Sequence, residues 1–463
     1  MTTHPHPPTA VAAEELVRVE ALKKYFPVGR GFLARRRSFV HAVDGISFDI
    51  KPKETFGLVG ESGCGKTTTG KLLVKLLDPT EGQIWIRDSR RLGFVLQQDG
   101  VPVGALSVFV DEKGRPQQIA QVMGGPGAGA QAKAGAQRLR RQVKPLFTQL
   151  QRRAQALDPT DVAGIGTLDV ELDGRRLSLV PISRFLEKGT PPPPAMNERE
   201  KADWQRWLEA LQRLEYTDFA HISGPHLKRF RREVQMIFQD PYESLNPRMT
   251  IFDIVAEPLA VQHIGTIAER ELRVAEMLEM VGLSPPESFL FRYPHELSGG
   301  QRQRVAIARA MIIHPTFVVA DEPTSMLDVS IRTGIMKLMM ELQQEFRISY
   351  LYITHDLAVA RYMCERIAVM YLGKIVEMGP TEDVIQNPLH PYTKALISAV
   401  PIPDPTVKRE PIELKGDVPS PIDPPPRCRF LDRCPLATER CQQEDHPPLE
   451  DKGGGHYVAC YEV

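Results

Sequence analysis

Short apolar runs alternate along this chain with longer stretches in which apolar residues return every three or four positions. From Leu16 to Ile50, strand-like runs such as LVRVEAL and HAVDGISFDI flank a basic turn, GRGFLARRR. FGLVG, Phe56 to Gly60, reads as a short apolar strand. It runs directly into a glycine-rich loop and then into KTTTGKLLVKLL, whose periodicity predicts a helix. A second such unit comes late: IARAMIIHP reads as a helix, TFVVADEP as a buried strand ending in acidic residues, and SYLYITHD as another buried strand. Apolar strands alternating with helices predict an α/β fold with a mostly parallel sheet.

Between Asp88 and Asp218 the pattern changes. GGPGAGAQAKAGAQ is a low-complexity loop and GTPPPPAMNERE a Pro-rich linker. Around them FVLQQDGVPVGALSVFV and TLDVELDGRRLSLVPI predict two hairpins, the second with Asp-Gly at its turn. Two helices are predicted, QRLRRQVKPLFTQLQRRAQAL with a kink at Pro145 and REKADWQRWLEALQRLEY. Trp204 and Trp207 share a helical face with Leu208, Leu211 and Leu214 nearby, the pattern of a separate small core. The Arg-rich stretch Arg138 to Arg153 reads as a solvated face, with anionic lipid or a partner as the alternative. The expected organisation is a leader at 1–15, a first core part at 16–89, an inserted α+β module at 90–218, a second core part at 219–385 and a C-terminal region at 386–463.

Composition adds bounds rather than a partner. Of 463 residues, 42% are hydrophobic and 25% charged, and 58 basic residues balance 58 acidic ones, so no net field argues for nucleic acid. The N-terminus lacks the basic and apolar regions of a secretory signal. The most apolar run, Val305 to Ala320, is interrupted by Arg309, His314 and Pro315 and falls short of the ~20 residues of a membrane span. A soluble chain in the cytosol is expected. There, disulfides are disfavoured, which bears on the crowding of Cys428, Cys434, Cys441 and Cys460 into the tail when the chain has six cysteines in all. Their spacing of five, six and eighteen intervening residues is not a CxxC zinc pattern, but four thiolates can ligate an iron–sulfur cluster or zinc.

Three motifs carry chemistry. GESGCGKT comprises Gly60, Glu61, Ser62, Gly63, Cys64, Gly65, Lys66 and Thr67, with Thr68 following. It fits GxxxxGK[ST] between a strand and a helix. Backbone N–H groups there favour an anion, Lys66 supplies charge for β/γ-phosphates, and the Thr67 hydroxyl can ligate Mg²⁺. FVVADEP ends a strand in Asp321, placed to hold Mg²⁺, and Glu322, placed to polarise an attacking water. LSGGQRQRVAIARA sets Ser298, Gly299, Gly300 and Gln301 at the start of a helix, a second anion site. One nucleotide does not need two such sites on one chain, so the second is expected to serve a nucleotide held by another subunit.

The combination of GESGCGKT, LSGGQ and VVADEP resembles the ATP-binding subunits of ABC transporters over roughly 16–88 and 219–400. The resemblance implies a head-to-tail pair of ATPase domains sandwiching two ATP molecules. Matched by motif, Gln239 in IFQDP resembles the residue that senses Mg²⁺, water and the membrane subunits. Asp328 in SMLD resembles the aspartate at the dimer seam, where Met326 departs from the usual small residue. His355 in ITHD resembles the histidine that holds the γ-phosphate, and Tyr25 in LKKYFPV the aromatic that stacks on adenine, with Phe26 as substitute. DPYESLNPRMT and NPLHPYTKALISAVP are similar to the ATPases of oligopeptide, dipeptide and nickel importers. That likeness implies a [4Fe–4S] cluster on the four tail cysteines, ahead of zinc and of free thiols. It also implies a peripheral place on the cytoplasmic face of the membrane, a paralogous ATPase partner, two permease subunits and an external binding protein. Cys64 is expected to be a reactive thiolate at a helix N-terminus and Cys364 to be packed. The rival readings are a soluble ABC ATPase outside transport and an ATPase-linked redox or iron sensor.

Overall fold

A computed structural model describes residues 15–28, 38–87, 91–110, 116–126, 168–172, 175–187, 196–220, 224–400 and 416–463, with isolated positions at 137, 147–148, 222, 412 and 414. Its chain divides into two compact units, one of Leu16–Ile84 with Phe219–Val463, the other containing Trp85–Asp218.

The first unit is built on an eight-stranded sheet. Val234–Ile237, Phe317–Asp321, Ser349–Thr354, Thr55–Val59 and Arg366–Tyr371 lie side by side and parallel, followed by the antiparallel strands Lys374–Pro380, Tyr457–Val458 and Glu450–Asp451. Every residue of Thr55–Val59, Phe317–Asp321 and Ser349–Thr354 is buried, which is why these strands read as unbroken apolar runs rather than as alternation. The register pairs Thr354 with Val59 and Asp321 with Ile353, so Gly60, Glu322 and His355 all emerge at one sheet edge. Ligands of open α/β sheets bind at that end of the strands. Helix Lys66–Leu73 lies tight on the sheet: a Cβ at Gly70 would come within 2.9 Å of both Ile353 and Val319.

Beside the sheet, Val17–Val28 and Ser38–Ile50 form an antiparallel pair. The helices Ile251–Val261 and Ile267–Met280 open on capping boxes, Thr250 with Asp253 and Thr266 with Glu269. A single apolar cluster runs from Val59 and the helical residues through the sheet to Tyr392 and Phe430. The C-terminal region is therefore part of this core and not an appendix to it. Among the described residues no helix is long and apolar enough to cross a membrane.

The second unit holds a five-stranded antiparallel sheet in the order Pro116–Gly124, Val101–Val110, Arg91–Gln98, Arg175–Pro181, Leu168–Leu172. Both expected hairpins are present, and each face of the sheet has its own core. Phe94, Leu96, Leu106, Val108, Leu177 and Leu179 pack on one side. Val95, Ala105 and Val180 on the other meet Phe185, Trp207 and Leu211. Helix Glu198–Gln212 supplies Trp207, whose indole N–H donates to Gly124 O at 2.8 Å. Trp85–Arg87 pairs with Tyr216–Asp218, closing the two ends of the segment on each other. The basic turn, the Asp-Gly turn and most of the leader, the low-complexity loop, the Pro-rich linker and the Arg-rich helix lie outside the described residues; the low-complexity stretch begins in strand Pro116–Gly124, and the linker ends in the cap Asn197 and the start of helix Glu198–Gln212.

Candidate nucleotide site

Two glycines make the phosphate loop possible. Gly60 and Gly65 have φ of +155° and +109°, and a Cβ on them would sit 2.2 Å from Met370 O and 2.1 Å from Ala42 O. Gly65 precedes helix Lys66–Leu73, whose N-terminus thus opens on the loop. Lys66 is buried and its Nζ donates to Gly60 O at 2.7 Å and Glu61 O at 2.9 Å, so the ammonium is held inside the loop.

Thr67 Oγ1 donates to Asp321 Oδ1 at 3.1 Å, joining the helix start to the end of strand Phe317–Asp321. Burial pushes the Asp321 carboxyl above its ordinary range, against the pull of Thr67, Lys71 and Lys66. These are hard oxygen donors, the set Mg²⁺ prefers. Glu322 follows with φ of +45°, unusual for a residue with a side chain. That backbone turn presents its carboxylate between two partners: Gln239 Nε2 donates to Oε2 at 3.1 Å, and His355 Nδ1 lies 2.9 Å from Oε1. The structure thus brings together the phosphate loop, Asp321, Glu322, Gln239 and His355. A cavity of 1020 Å³ adjoins them, lined by Thr67, Lys71, Gln239, Glu243, Arg309 and Asp321.

Ser298–Gln301 stands apart from this group. Ser298 Oγ accepts from Gln301 N and Gln301 Oε1 accepts from Ser298 N, a closed capping box at the start of helix Gly299–Met311. A Cβ on Gly300 would come within 2.7 Å of Ile331, so this terminus lies beside the segment that holds Asp328. Asp328 is exposed and makes no capping bond to its own helix, Val329–Phe346. Met326 and Val329 beside it are 62% and 76% exposed.

Tyr25 stacks on His41, with centroids 3.9 Å apart, and its hydroxyl donates to Asp44. Asp44 also pairs with Lys374 and with Arg429, which comes from the cysteine-bearing tail. Burial would raise the Asp44 carboxyl, but Tyr25, Lys374 and Arg429 outweigh it and hold the group down at about 2. The tail touches the phosphate loop as well. Arg433 donates to Glu61 at 3.0 and 3.4 Å, and Tyr392 Oη accepts the Glu61 N–H at 3.0 Å. Phe430, between the two arginines, is buried against Tyr371, Tyr392 and His390. Sequence reasoning passed over Asp44, Tyr392, Arg429 and Arg433. The one available signal was the alternation of arginine and aromatic between two cysteines in CRFLDRC.

The family model "ABC transporter" matches residues 43–107 and 200–325, and "Oligopeptide/dipeptide transporter, C-terminal region" matches 376–441. The chain is 35% identical over 456 residues to the oligopeptide transport ATP-binding protein AppF of Bacillus subtilis, covering 98% of this chain and 99% of the relative. The chain belongs to the ATP-binding proteins of ABC transporters. It is also 34% identical to the dipeptide transport ATP-binding protein DppF of Haemophilus influenzae, covering 97% of each chain. A solved dimeric ATP-binding cassette in a post-hydrolysis state with ADP and Pi aligns at 21% identity and a TM-score of 0.46, over 79% of this chain and 98% of that one.

One expectation about a cysteine in this ABC protein needs correction. Cys64 is 4% exposed, and burial raises its thiol above the ordinary value despite Lys66, so it is a packed neutral thiol rather than a reactive thiolate. Burial outweighs the helix N-terminus there. Cys364 is packed, as expected. Cys428, Cys434, Cys441 and Cys460 are free thiols, and among the described residues no group of three or more His, Cys, Asp or Glu side chains is arranged to hold a metal ion. Burial lifts the Cys428 thiol to about 11 and raises those of Cys434 and Cys460.

Proposed function

We propose that this chain is the ATP-hydrolysing subunit that powers import of peptides, or related small solutes, through an ABC transporter. The position of Glu322 carries the reading: an acidic side chain turned by its backbone to lie between Gln239 and His355, one residue beyond the Thr67–Asp321 pair. The names of the relatives, oligopeptide and dipeptide transport ATP-binding proteins, support peptide as the solute class.

In this reading the N–H groups of Gly60–Thr68 cradle the phosphates while Lys66 leaves its loop carbonyls for them. Thr67, Gln239 and Asp321 would hold Mg²⁺, which supplies neutralising charge at the β- and γ-phosphates. Glu322 accepts a hydrogen bond from the attacking water, and His355 and Gln239 fix that carboxylate and meet the γ-phosphate. Tyr25, braced on His41, stacks on the base. Ser298, Gly299, Gly300 and Gln301 close on the nucleotide of a second ATPase subunit, a paralogue forming a heterodimer, and Asp328 crosses the seam beside the exposed Met326 and Val329. The cavity next to Gln239 faces one of two membrane permease subunits on the cytoplasmic side, and an external binding protein acts through them. The module at 90–218 is accessory to this ATPase.

For the tail, four free thiols are the donor set of an iron–sulfur cluster, a larger group than one ion. Zinc fits less well, because it needs four ligands in a single coordination sphere. Iron and sulfide analysis after anaerobic purification decides this, and absence of both leaves Cys428, Cys434, Cys441 and Cys460 as free thiols.

Glu322→Gln tests the main reading. Turnover should fall by about 10²–10⁴-fold, the usual contribution of such a base, while MgATP binding and an ATP-bound dimer persist in size-exclusion chromatography. Turnover at the wild-type rate would remove Glu322 from its role.

A further inference from the structure

The six residues from Arg429 to Cys434 reach both ends of the nucleotide site at once. Arg433 sets two nitrogens of its guanidinium on both oxygens of Glu61, the second residue of the phosphate loop. Such two-point pairing fixes direction as well as charge. Tyr392 takes the Glu61 N–H, so side chain and backbone of this residue are both held from the C-terminal region. At the other end Arg429 holds Asp44, and Asp44 holds the Tyr25 hydroxyl.

Stability alone is a poor account of these arginines. Both are 8% exposed, and Arg429 Nε and Nη1 and Arg433 Nε are buried with no hydrogen-bond partner. Buried cations with unmade bonds contribute little net stability. What they contact has a more direct consequence. Glu61 places a carboxylate beside the loop meant for a triphosphate, and an unneutralised negative charge there repels the ligand.

Resting on the ATP-site reading above, we propose that Arg433 and Arg429 are positioning residues for ATP. Arg433 neutralises Glu61 and turns it away from the phosphates, and Arg429 acts through Asp44 to fix the aromatic platform. The C-terminal region is thereby a determinant of nucleotide affinity.

The test uses the full chain, with MgATP as probe and initial rates and melting temperature recorded together. Arg433→Ala should raise KM for MgATP about tenfold with kcat within about twofold, as expected for lost ground-state binding. Arg433→Lys should recover part of the loss by restoring charge without the fork. The deciding variant is Glu61→Gln combined with Arg433→Ala, which should return KM towards the wild-type value, since no charge remains to be neutralised. Arg429→Ala should raise KM by a smaller factor, about threefold. An unchanged KM in Arg433→Ala, or a raised KM that Glu61→Gln does not relieve, overturns the proposal. If Arg433→Ala does not fold, the comparison of Arg433→Lys with and without Glu61→Gln decides in the same way. A wild-type chain that fails to bind MgATP would instead defeat the ATP-site reading itself.

Discussion

Described residues of 85–218 pack large side chains against one another, Trp207 on Phe185 and Phe94 beside Leu106, whereas described residues of 386–463 bury theirs in the ATPase core, Phe430 on Tyr371 and Tyr392. In the first region the indole N–H of Trp207 donates to Gly124 O within the same segment. The second sends Arg433 to Glu61, Arg429 to Asp44 and His456 to Glu377, a fully buried carboxylate that also accepts the N–H groups of Leu389 and His390. Position in the sequence does not reveal this difference, since a mid-chain insert can be self-contained and a terminal segment can be wired to the active centre. What decides is where the apolar side chains and the charges find partners.

A matched pair of truncations gives the strongest contrast. Trp207→Ala and Phe430→Ala should each cost about 3–5 kcal/mol in the part of the chain that holds them. Calorimetry with parallel rate measurements should show a raised KM for MgATP only in Phe430→Ala. A Trp207→Ala protein with impaired nucleotide binding would break the contrast.

Asp44 gives a smaller effect with a definite pH signature. Its folded pKa of about 2 lies below the ordinary 3.8, so the group favours the folded state above pH ~4, and that stabilisation is lost as pH falls towards 2. The shift corresponds to roughly 2 kcal/mol at neutral pH. Asp44→Asn should lose about this much in denaturant unfolding at pH 7 and should flatten the acid limb between those values. An unaltered acid limb would mean that the tail is not held through this carboxylate.

Cys64 should show the least. As a buried neutral thiol it should escape iodoacetamide at pH 7 under native conditions while, in protein free of iron and sulfide, the half-buried Cys434 and Cys460 react, and ATP turnover should outlast their modification. Mass spectrometry of the labelled chain checks it, and early labelling of Cys64 would contradict the burial.

The sequence patterns that anticipated the structure were local ones. FGLVG followed by GESGCGKT, and FVVADEP with its acidic end, specify strand, loop and helix within a dozen residues, and the parallel sheet follows from such units. Trp204 and Trp207 disclosed the second core by spacing alone. The contacts that sequence reading missed join residues far apart in the chain: Arg433 with Glu61 and Arg429 with Asp44 across hundreds of positions, and Tyr457 with Met378 across 79. No periodicity marks them. Cys64 shows a different failure, in which a valid local argument about the helix terminus is overruled by burial that only the packed sheet supplies.

Strand Thr55–Val59 has a consequence for how the chain is made. Its neighbours are Ser349–Thr354 and Arg366–Tyr371, so Thr55 waits for Tyr350 before it is paired on that side. At typical rates of synthesis the interval is on the order of 15–60 s. The hairpins of 91–110 and 168–181 emerge in that interval and pair with near neighbours in the chain. On the ribosome, the phosphate loop is thus among the first parts synthesised and among the last fixed, and its exposed apolar strand is the stretch for which chaperones would compete.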